Sequence, residues 1–295
     1  VRLAMRTYLP DEGYDGTGVI PLRKEGNGMP VVTLFKPDGS EVSGIDLLTE
    51  LNTTVRGEPQ FPKNVWLNQI AASANPLSAP AVPQPKAEIF WNIPYSVIGI
   101  FYAANPAIRA TNFNASDEGG FANNPDTKYL TTIFSFEYGE VLVMKGKMPT
   151  FPRTSSGESV VENETQVKFF SITTGAGPVT GDGYMNAIDE KIPLDCDGNY
   201  TVVISWAWNR PANATLENGV VWLSPGNGEG YYPQARCHVG TIYVRFQAPN
   251  PNWAESPANV PVPTPEDPVQ REAEIMGPYY PTFEYMSRAA FEALA

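Results

Sequence analysis

Histidine and cysteine are scarce in this chain of 295 residues, which has one His, His238, and two Cys, Cys196 and Cys237. A single His cannot form the multi-His sites of zinc and copper proteins or a facial triad. Two Cys cannot hold an iron–sulfur cluster within one chain. The sequence therefore excludes these intramolecular metal centres, and carboxylate pairs are the acid–base groups that it readily offers.

Positive charge and long apolar runs are also scarce. There are 20 Lys and Arg against 32 Asp and Glu, which gives a net charge of −12, and charged residues make up only 18% of the chain. Without a basic run, neither nucleic acid nor an anionic membrane surface is an expected partner. No apolar stretch reaches the roughly 18 residues of a membrane-spanning helix, so the chain is predicted not to span a membrane.

Proline and glycine are abundant, with 29 Pro and 25 Gly, and aromatic residues reach 12%. Two proline-rich stretches are expected to be extended and to lack ladder hydrogen bonds. They divide the sequence into parts. The predicted organisation is a small α+β region at 1–75, a proline-rich linker at 76–87, a β-sandwich core at 88–254, a proline-rich segment at 255–268 and a tail at 269–295.

The central part has the composition of short strands separated by turns. Residues Tyr200 to Trp206 give the clearest case, because β-branched side chains follow the turn signal Asp-Gly-Asn. Further strands are predicted at 130–136, 140–145, 166–173, 220–223 and 241–246. This pattern predicts a mainly β protein with a sandwich or jelly-roll core. A short C-terminal helix is predicted from Glu284 to Leu294.

Several features of the sequence bear on whether the protein is exported from the cell. The sequence starts at Val1, which is interpreted either as the result of signal-peptide removal or as a cloning boundary. Cys196 and Cys237 are either a disulfide pair or two free thiols. The expected location is secreted, periplasmic or extracellular. Candidate glycosylation sites with an Asn-x-Ser/Thr motif are Asn52, Asn114, Asn163, Asn199 and Asn213.

One short segment has the alternating oxygen ligands of a calcium loop. Asp195, Asp197 and Asn199 are spaced two residues apart, as in the first half of such a loop. The acidic residue that should close the loop is missing from 200–206. A turn that leads into a strand is the preferred interpretation of the segment. Ca²⁺ is the one metal considered as an alternative, and no other cofactor is expected.

A series of short motifs extends across about 88–295, in the segments 126–130, 139–154, 167–171, 197–205, 210–215, 222–223, 244–246, 249–251 and 276–281. This series resembles a group of exported bacterial proteins of unassigned function. Through them it distantly resembles a twin-domain family of unknown function whose second domain is a jelly roll. The resemblance implies an exported, β-rich protein and brings no assigned reaction.

Polar and aromatic residues in these segments are the candidate ligand-binding groups. Arg245 lies within a predicted strand, where a buried charge would need a partner. The candidate residues are Asp126, Tyr129, Lys145, Lys147, Trp222 and Arg245.

Three functions remain open. The first is an exported, non-enzymatic binding or structural protein. As a subunit of an extracellular or cell-surface assembly, it would be a homo-oligomer or a partner of another surface protein. The second is a carboxylate-dependent secreted enzyme that acts on polysaccharide or a related polymer, with two acids in a cleft. The third is a calcium-dependent binding module. Clustered Trp206, Trp208 and Trp222 also suit stacking on a neutral glycan.

Overall fold

The computed structural model divides the chain into two compact units, Val1–Lys63 and Asn64–Ala295. In the first unit a hairpin joins β1 (Thr33–Phe35) to β2 (Glu41–Ser43). Helices predicted for 1–75 lie outside the described residues. The structure describes residues 33–35, 38–43, 84–92, 95–96, 114–116, 126–160, 164–175, 183–226, 239–268 and 271–294.

The second unit contains one sheet of five strands and one of four. The five-stranded sheet has the order β3-β4-β10-β6-β7, and all of its pairs are antiparallel. Its strands are β3 (Glu88–Ile89), β4 (Thr127–Ser135), β6 (Phe169–Gly175), β7 (Gly183–Ile188) and β10 (Val239–Gln247).

The four-stranded sheet has the order β11-β5-β8-β9. Only the pair of β8 and β9 is parallel. Its strands are β5 (Val141–Lys147), β8 (Asn199–Ser205), β9 (Val220–Leu223) and β11 (Thr282–Met286). All six strands predicted above for 130–246 are present, as β4, β5, β6, β8, β9 and β10.

Both sheets turn one face toward a common hydrophobic core, because apolar residues recur at every second position of the strands. This arrangement confirms the prediction of a mainly β protein of the sandwich class. The shared core includes Leu130, Phe134, Phe170, Ile172, Ile242, Val244 and Phe246 from the five-stranded sheet and Leu142, Met144, Tyr200, Val202, Ile204, Val221 and Leu223 from the four-stranded sheet.

A glycine lies directly opposite an aromatic ring in each sheet. Gly146 pairs with Tyr200 across β5 and β8, and Gly240 pairs with Phe134 across β4 and β10. A Cβ atom at Gly146 would stand 2.6 Å from the Tyr200 hydroxyl, and one at Gly240 would overlap the Phe134 ring. Each ring therefore crosses its partner strand through the space that the glycine leaves free, a known way to stabilise glycine in a sheet.

The tail supplies two helices and an edge strand. Helix α1 spans Glu272–Met276, and helix α2 spans Arg288–Glu292 after the cap Ser287, whose hydroxyl accepts the Ala290 amide hydrogen at 3.1 Å. The short C-terminal helix is confirmed, but its predicted start at Glu284 is wrong. Residues 282–286 instead form β11, because their side chains alternate in exposure along the edge of β5. No helix in the described part of the chain is long and apolar enough to cross a bilayer.

Helix α2 covers the outer face of the four-stranded sheet through one side chain. Phe291 is 5% exposed and packs with Val141, Val143, Val203 and Ala214 in a second, smaller core. The Asn213 amide donates a hydrogen bond to the Phe291 carbonyl at 3.2 Å. The end of the chain is therefore an integral part of the fold.

The substitution Phe291→Ala should lower the free energy of unfolding by about 3 kcal/mol, because it leaves a cavity over the valines. Leu294→Ala is the matched control, since Leu294 is 68% exposed and its loss should change stability by less than about 0.5 kcal/mol. Urea unfolding followed by Trp fluorescence measures both variants. Equal stabilities of the two would contradict the assigned role of α2.

Candidate functional site

A concavity lies between the edge strands of the two sheets, where β11 approaches the segment that leads into β3. It has a volume of about 740 Å³, which is within the usual range for ligand pockets. One wall is the segment 84–87 that leads into β3, and the other is β11 with the residues before it. We call it the β11 cleft. Its lining residues are Gln84, Pro85, Lys86, Ala87, Tyr138, Glu272, Ala273, Tyr280, Pro281, Thr282, Phe283, Glu284 and Tyr285.

Three side chains of the cleft bind the backbone of the five-stranded sheet and its approach segment. The Tyr280 hydroxyl accepts the Ala87 amide hydrogen and donates to the Ala87 carbonyl, both at 3.0 Å. Glu272 Oε1 accepts the Ile89 amide hydrogen at 3.0 Å, and the Tyr285 hydroxyl accepts that of Ser135 at 2.9 Å. Because these bonds join segments far apart in sequence, the walls of the cleft are held before any ligand arrives.

The chemical character of the cleft is aromatic and acidic. The rings of Tyr138 and Tyr285 lie 5.7 Å apart, and Tyr138 is 38% exposed. Burial raises the pKa of Tyr280 and of Tyr285 well above the usual value, and the carboxylates of Glu272 and Glu88 raise that of Tyr280 further. Both phenols are therefore neutral at physiological pH. The lining contains two acidic residues, Glu272 and Glu284, and one basic residue, Lys86.

The structure brings two of the candidate ligand-binding residues together. Arg245 of β10 lies opposite Tyr129 of β4. Its Nε donates to the Tyr129 hydroxyl at 2.9 Å, and its guanidinium carbon is 5.1 Å from the centre of the Tyr129 ring. The pair lies on the face of the sheet that points away from the shared core, and Tyr129 is buried. Arg245 thus has the partner that its position in a strand requires.

The other four candidates are dispersed. Asp126 is exposed just before β4. Lys145, on the outer face of β5, lines a separate cavity of about 250 Å³ that also touches Glu284. The Lys147 ammonium is 6.0 Å from the centre of the Tyr279 ring. Trp222 donates to the Ser205 hydroxyl at 2.9 Å and is covered by Arg210.

In the predicted calcium segment, backbone and side-chain amides already bind the leading carboxylate. Asp195 accepts amide hydrogens from Asp197 and Asn199 at 2.9 and 2.8 Å, and the Asn199 side chain donates to it at 3.0 Å. These bonds lower the pKa of Asp195. They describe a closed turn before β8, and within the described ranges no three His, Cys, Asp or Glu residues group as metal ligands.

Cys196 is an exposed free thiol. Cys237 lies outside the described residues, so the pairing of the two cysteines stays a prediction. Two Asn-x-Ser/Thr sites use their amide nitrogen within the fold, since Asn199 binds Asp195 and Asn213 binds the Phe291 carbonyl. Asn114 is exposed. Asn52 and Asn163 lie outside the described residues.

Sequence reasoning missed the residues of the β11 cleft. Lys86, Glu272 and Tyr285 come from three separate parts of the chain, and none belongs to a local motif. The available signal was the alternation of polar Thr282 and Glu284 with aromatic Phe283 and Tyr285 in the sequence. It indicates an edge strand rather than the start of a helix.

No family model matches the sequence, and no curated protein matches it significantly. Two of the solved structures that match are uncharacterised bacterial proteins. One, from Burkholderia cenocepacia, is 15% identical with a TM-score of 0.31, and the match covers 57% of this chain and 31% of that one. The other, the VPA0106 protein of Vibrio parahaemolyticus, is 15% identical with a TM-score of 0.27, covering 54% and 30%. The chain thus spans less than a third of either neighbour.

A buried carboxyl lies apart from the cleft, at the end of β7. Asp189 is 2% exposed, and its two oxygens accept the amide hydrogens of Phe170 and Glu190 at 2.7 and 2.8 Å. Burial nevertheless raises the pKa of Asp189 to about 6, and the neighbouring charge of Glu190 adds to this. Glu190 has a lowered pKa because Ser155 and Thr154 donate hydrogen bonds to it. Asp189 is therefore neutral in the folded protein at mildly acidic pH.

The pKa of Asp189 predicts a pH-dependent stability. Between about pH 4 and pH 6 the native state binds more protons than the unfolded chain, so this group's contribution to stability is present at low pH and is lost as pH rises. The free energy of unfolding of wild type minus that of Asp189→Asn should fall by up to about 3 kcal/mol from pH 4 to pH 7. Urea titrations at several pH values measure it.

Asp195→Asn is the control, for which the stability difference from wild type should change with pH in the opposite direction. Because the pKa of Asp195 is lowered in the fold, its contribution is present above about pH 4 and lost as pH falls below that value. A difference between wild type and Asp189→Asn that does not change with pH would contradict the role given to burial at Asp189.

Proposed function

We propose that this chain is an exported, non-catalytic binding protein whose ligand occupies the β11 cleft. The observation that carries the proposal is the cleft itself, with a volume of about 740 Å³ and walls fixed by hydrogen bonds from Tyr280, Tyr285 and Glu272. A preformed site loses little conformational entropy when it binds, and it favours affinity for that reason.

The lining favours a ligand with flat or apolar groups and no net negative charge. Tyr138, Phe283 and Tyr285 offer ring surfaces, and such rings pack against apolar groups and sugar faces alike. The exposed side chain of Glu284 is negatively charged at neutral pH and repels anions. A neutral glycan and a neutral or basic peptide both satisfy these conditions.

The alternative functions receive less support from the geometry. An enzyme with paired carboxylates needs an acid of raised pKa within a cleft. Asp189, a described carboxyl whose pKa is raised, lies apart from the β11 cleft, is buried at the end of β7 and already accepts two backbone hydrogen bonds. For a calcium-dependent module, the Asp195 carboxylate is already bound by the Asp197 and Asn199 amides.

The alternative of a structural subunit, whose tail would bind a neighbouring subunit, also receives less support. The tail residues Met276 and Phe291 are buried in the chain's own cores. Because β11 pairs with β5 of the same sheet, the tail completes its own sandwich. Binding through the cleft is consequently the preferred function, and the oligomeric state stays a prediction to be measured by light scattering.

The substitution Tyr138→Ala should weaken ligand binding at least tenfold, because it removes a half-exposed ring from the cleft. Labelled protein is first screened on arrays of neutral glycans and of peptides, and the best ligand is then titrated by calorimetry against wild type and variant. Tyr184→Ala is the matched control, since Tyr184 is 43% exposed and lies in β7, at the opposite edge of the other sheet.

Both variants should melt close to wild type, which separates a lost contact from a lost fold. A ligand that binds Tyr138→Ala as tightly as wild type would place its site outside the cleft. The absence of any ligand on either array would contradict the proposed binding function.

A further inference from the structure

Strand β11 is the end strand of the four-stranded sheet. It pairs with β5 on one side, and no described strand pairs with its other side. In an antiparallel pair, every second residue directs its N–H and C=O away from the partner strand. The five residues of β11 therefore present two or three sets of backbone donors and acceptors at the free edge, where the β11 cleft begins.

The size of the cleft corresponds to one additional strand. A residue in a sheet rises about 3.3 Å, lies about 4.8 Å from the next strand, and occupies a layer about 10 Å thick, which is about 160 Å³. A volume of about 740 Å³ thus holds about four or five residues of extended chain. This matches the length of β11.

The opposite wall is unsuited to pairing, so an added strand would use β11 alone. Pro85 has no N–H, and both backbone groups of Ala87 are bound by the Tyr280 hydroxyl. The Lys86 carbonyl accepts the hydroxyl hydrogen of Thr132 at 3.3 Å. This wall can contact side chains but offers little backbone for a second ladder.

The acidic side chains at the β11 cleft determine which kind of strand can be added to β11. Glu284 lies at the centre of β11, and Glu272 lines the same cleft. Two copies of β11 paired about their centres would place two Glu284 carboxylates opposite each other, which is unfavourable. The net charge of −12 adds to this repulsion. A second copy of this chain is therefore a poor occupant, whereas a basic segment is complementary.

We propose that the β11 cleft binds an extended segment of another protein, with alternating apolar and basic side chains, which adds a strand to the free edge of β11. This inference rests on the proposed binding function and specifies its ligand. The backbone hydrogen bonds would supply affinity, while the tyrosine rings and carboxylates would select the side chains.

The experiment uses a fluorescent heptapeptide of alternating Val and Lys, and two derivatives with N-methyl groups on either all Val or all Lys residues. A strand that pairs on one edge uses the N–H groups of one alternate set only. Fluorescence anisotropy with the full chain should show binding of the parent peptide, at least a tenfold loss for one derivative, and near-parent affinity for the other. Two derivatives that both bind like the parent would overturn strand addition.

A second experiment tests whether the charge of Glu284 contributes to peptide binding. Glu284→Gln should weaken the parent peptide severalfold and reduce the dependence of its affinity on salt, while Glu217→Gln, at an exposed turn, should not. Equal affinities for both variants would overturn the charge selection.

The outcomes separate this inference from the proposed function. If the heptapeptide does not bind but another ligand binds in a Tyr138-dependent way, strand addition fails and the binding function stands. If no ligand depends on Tyr138, both fail.

Discussion

The hydroxyl of Tyr280 links the tail of the chain to the segment before β3, and the β11 cleft depends on this link. It both accepts from and donates to the backbone of Ala87, a residue 193 positions away. A hydrogen bond in a partly buried site is stronger than one in water, and an unmade one there is costly. Separation of these partners would leave a phenol and two backbone groups unsatisfied. The tail is therefore fixed beside the end of the five-stranded sheet, and the β11 cleft is the space that this attachment leaves.

The attachment explains why the same segment can stabilise the fold and keep an edge free. Downstream of Tyr280, β11 satisfies one side of its backbone on β5, and α2 then places Phe291 over the valines of the outer face. The Tyr285 hydroxyl meanwhile holds the Ser135 amide at the end of β4. The tail is thus held by side chains on both sheets, so its outward edge need not pair in order to stay in place.

Much of the β architecture could be predicted from local sequence, whereas the cleft could not. The strand that begins at Tyr200 is evident from its β-branched residues. Arg245 was expected to need a partner, and the structure places Tyr129 opposite it. β11 was misread because Thr282–Met286 runs directly into the helix-forming residues after Ser287. β7 was missed because its six residues include only two aliphatic side chains, Ala187 and Ile188, besides Met185. The cleft depends on pairings such as Glu272 with Ile89, and no local pattern reports a contact between residues so distant in sequence.

At the free edge of β11, an acidic side chain has a specific effect on which strands can pair with the protein. An unpaired strand in a sandwich is an aggregation hazard, and charged side chains on the strand reduce it. Glu284 has this effect at the centre of β11, since any second copy brings the same charge. The same carboxylate does not repel a strand that carries Lys or Arg at the facing position, and there it is favourable by a few tenths of a kcal/mol or more. On the proposed mode of binding, Glu284 would disfavour pairing with a second copy and favour a basic partner, and for that reason a free edge is compatible with a stable, acidic protein.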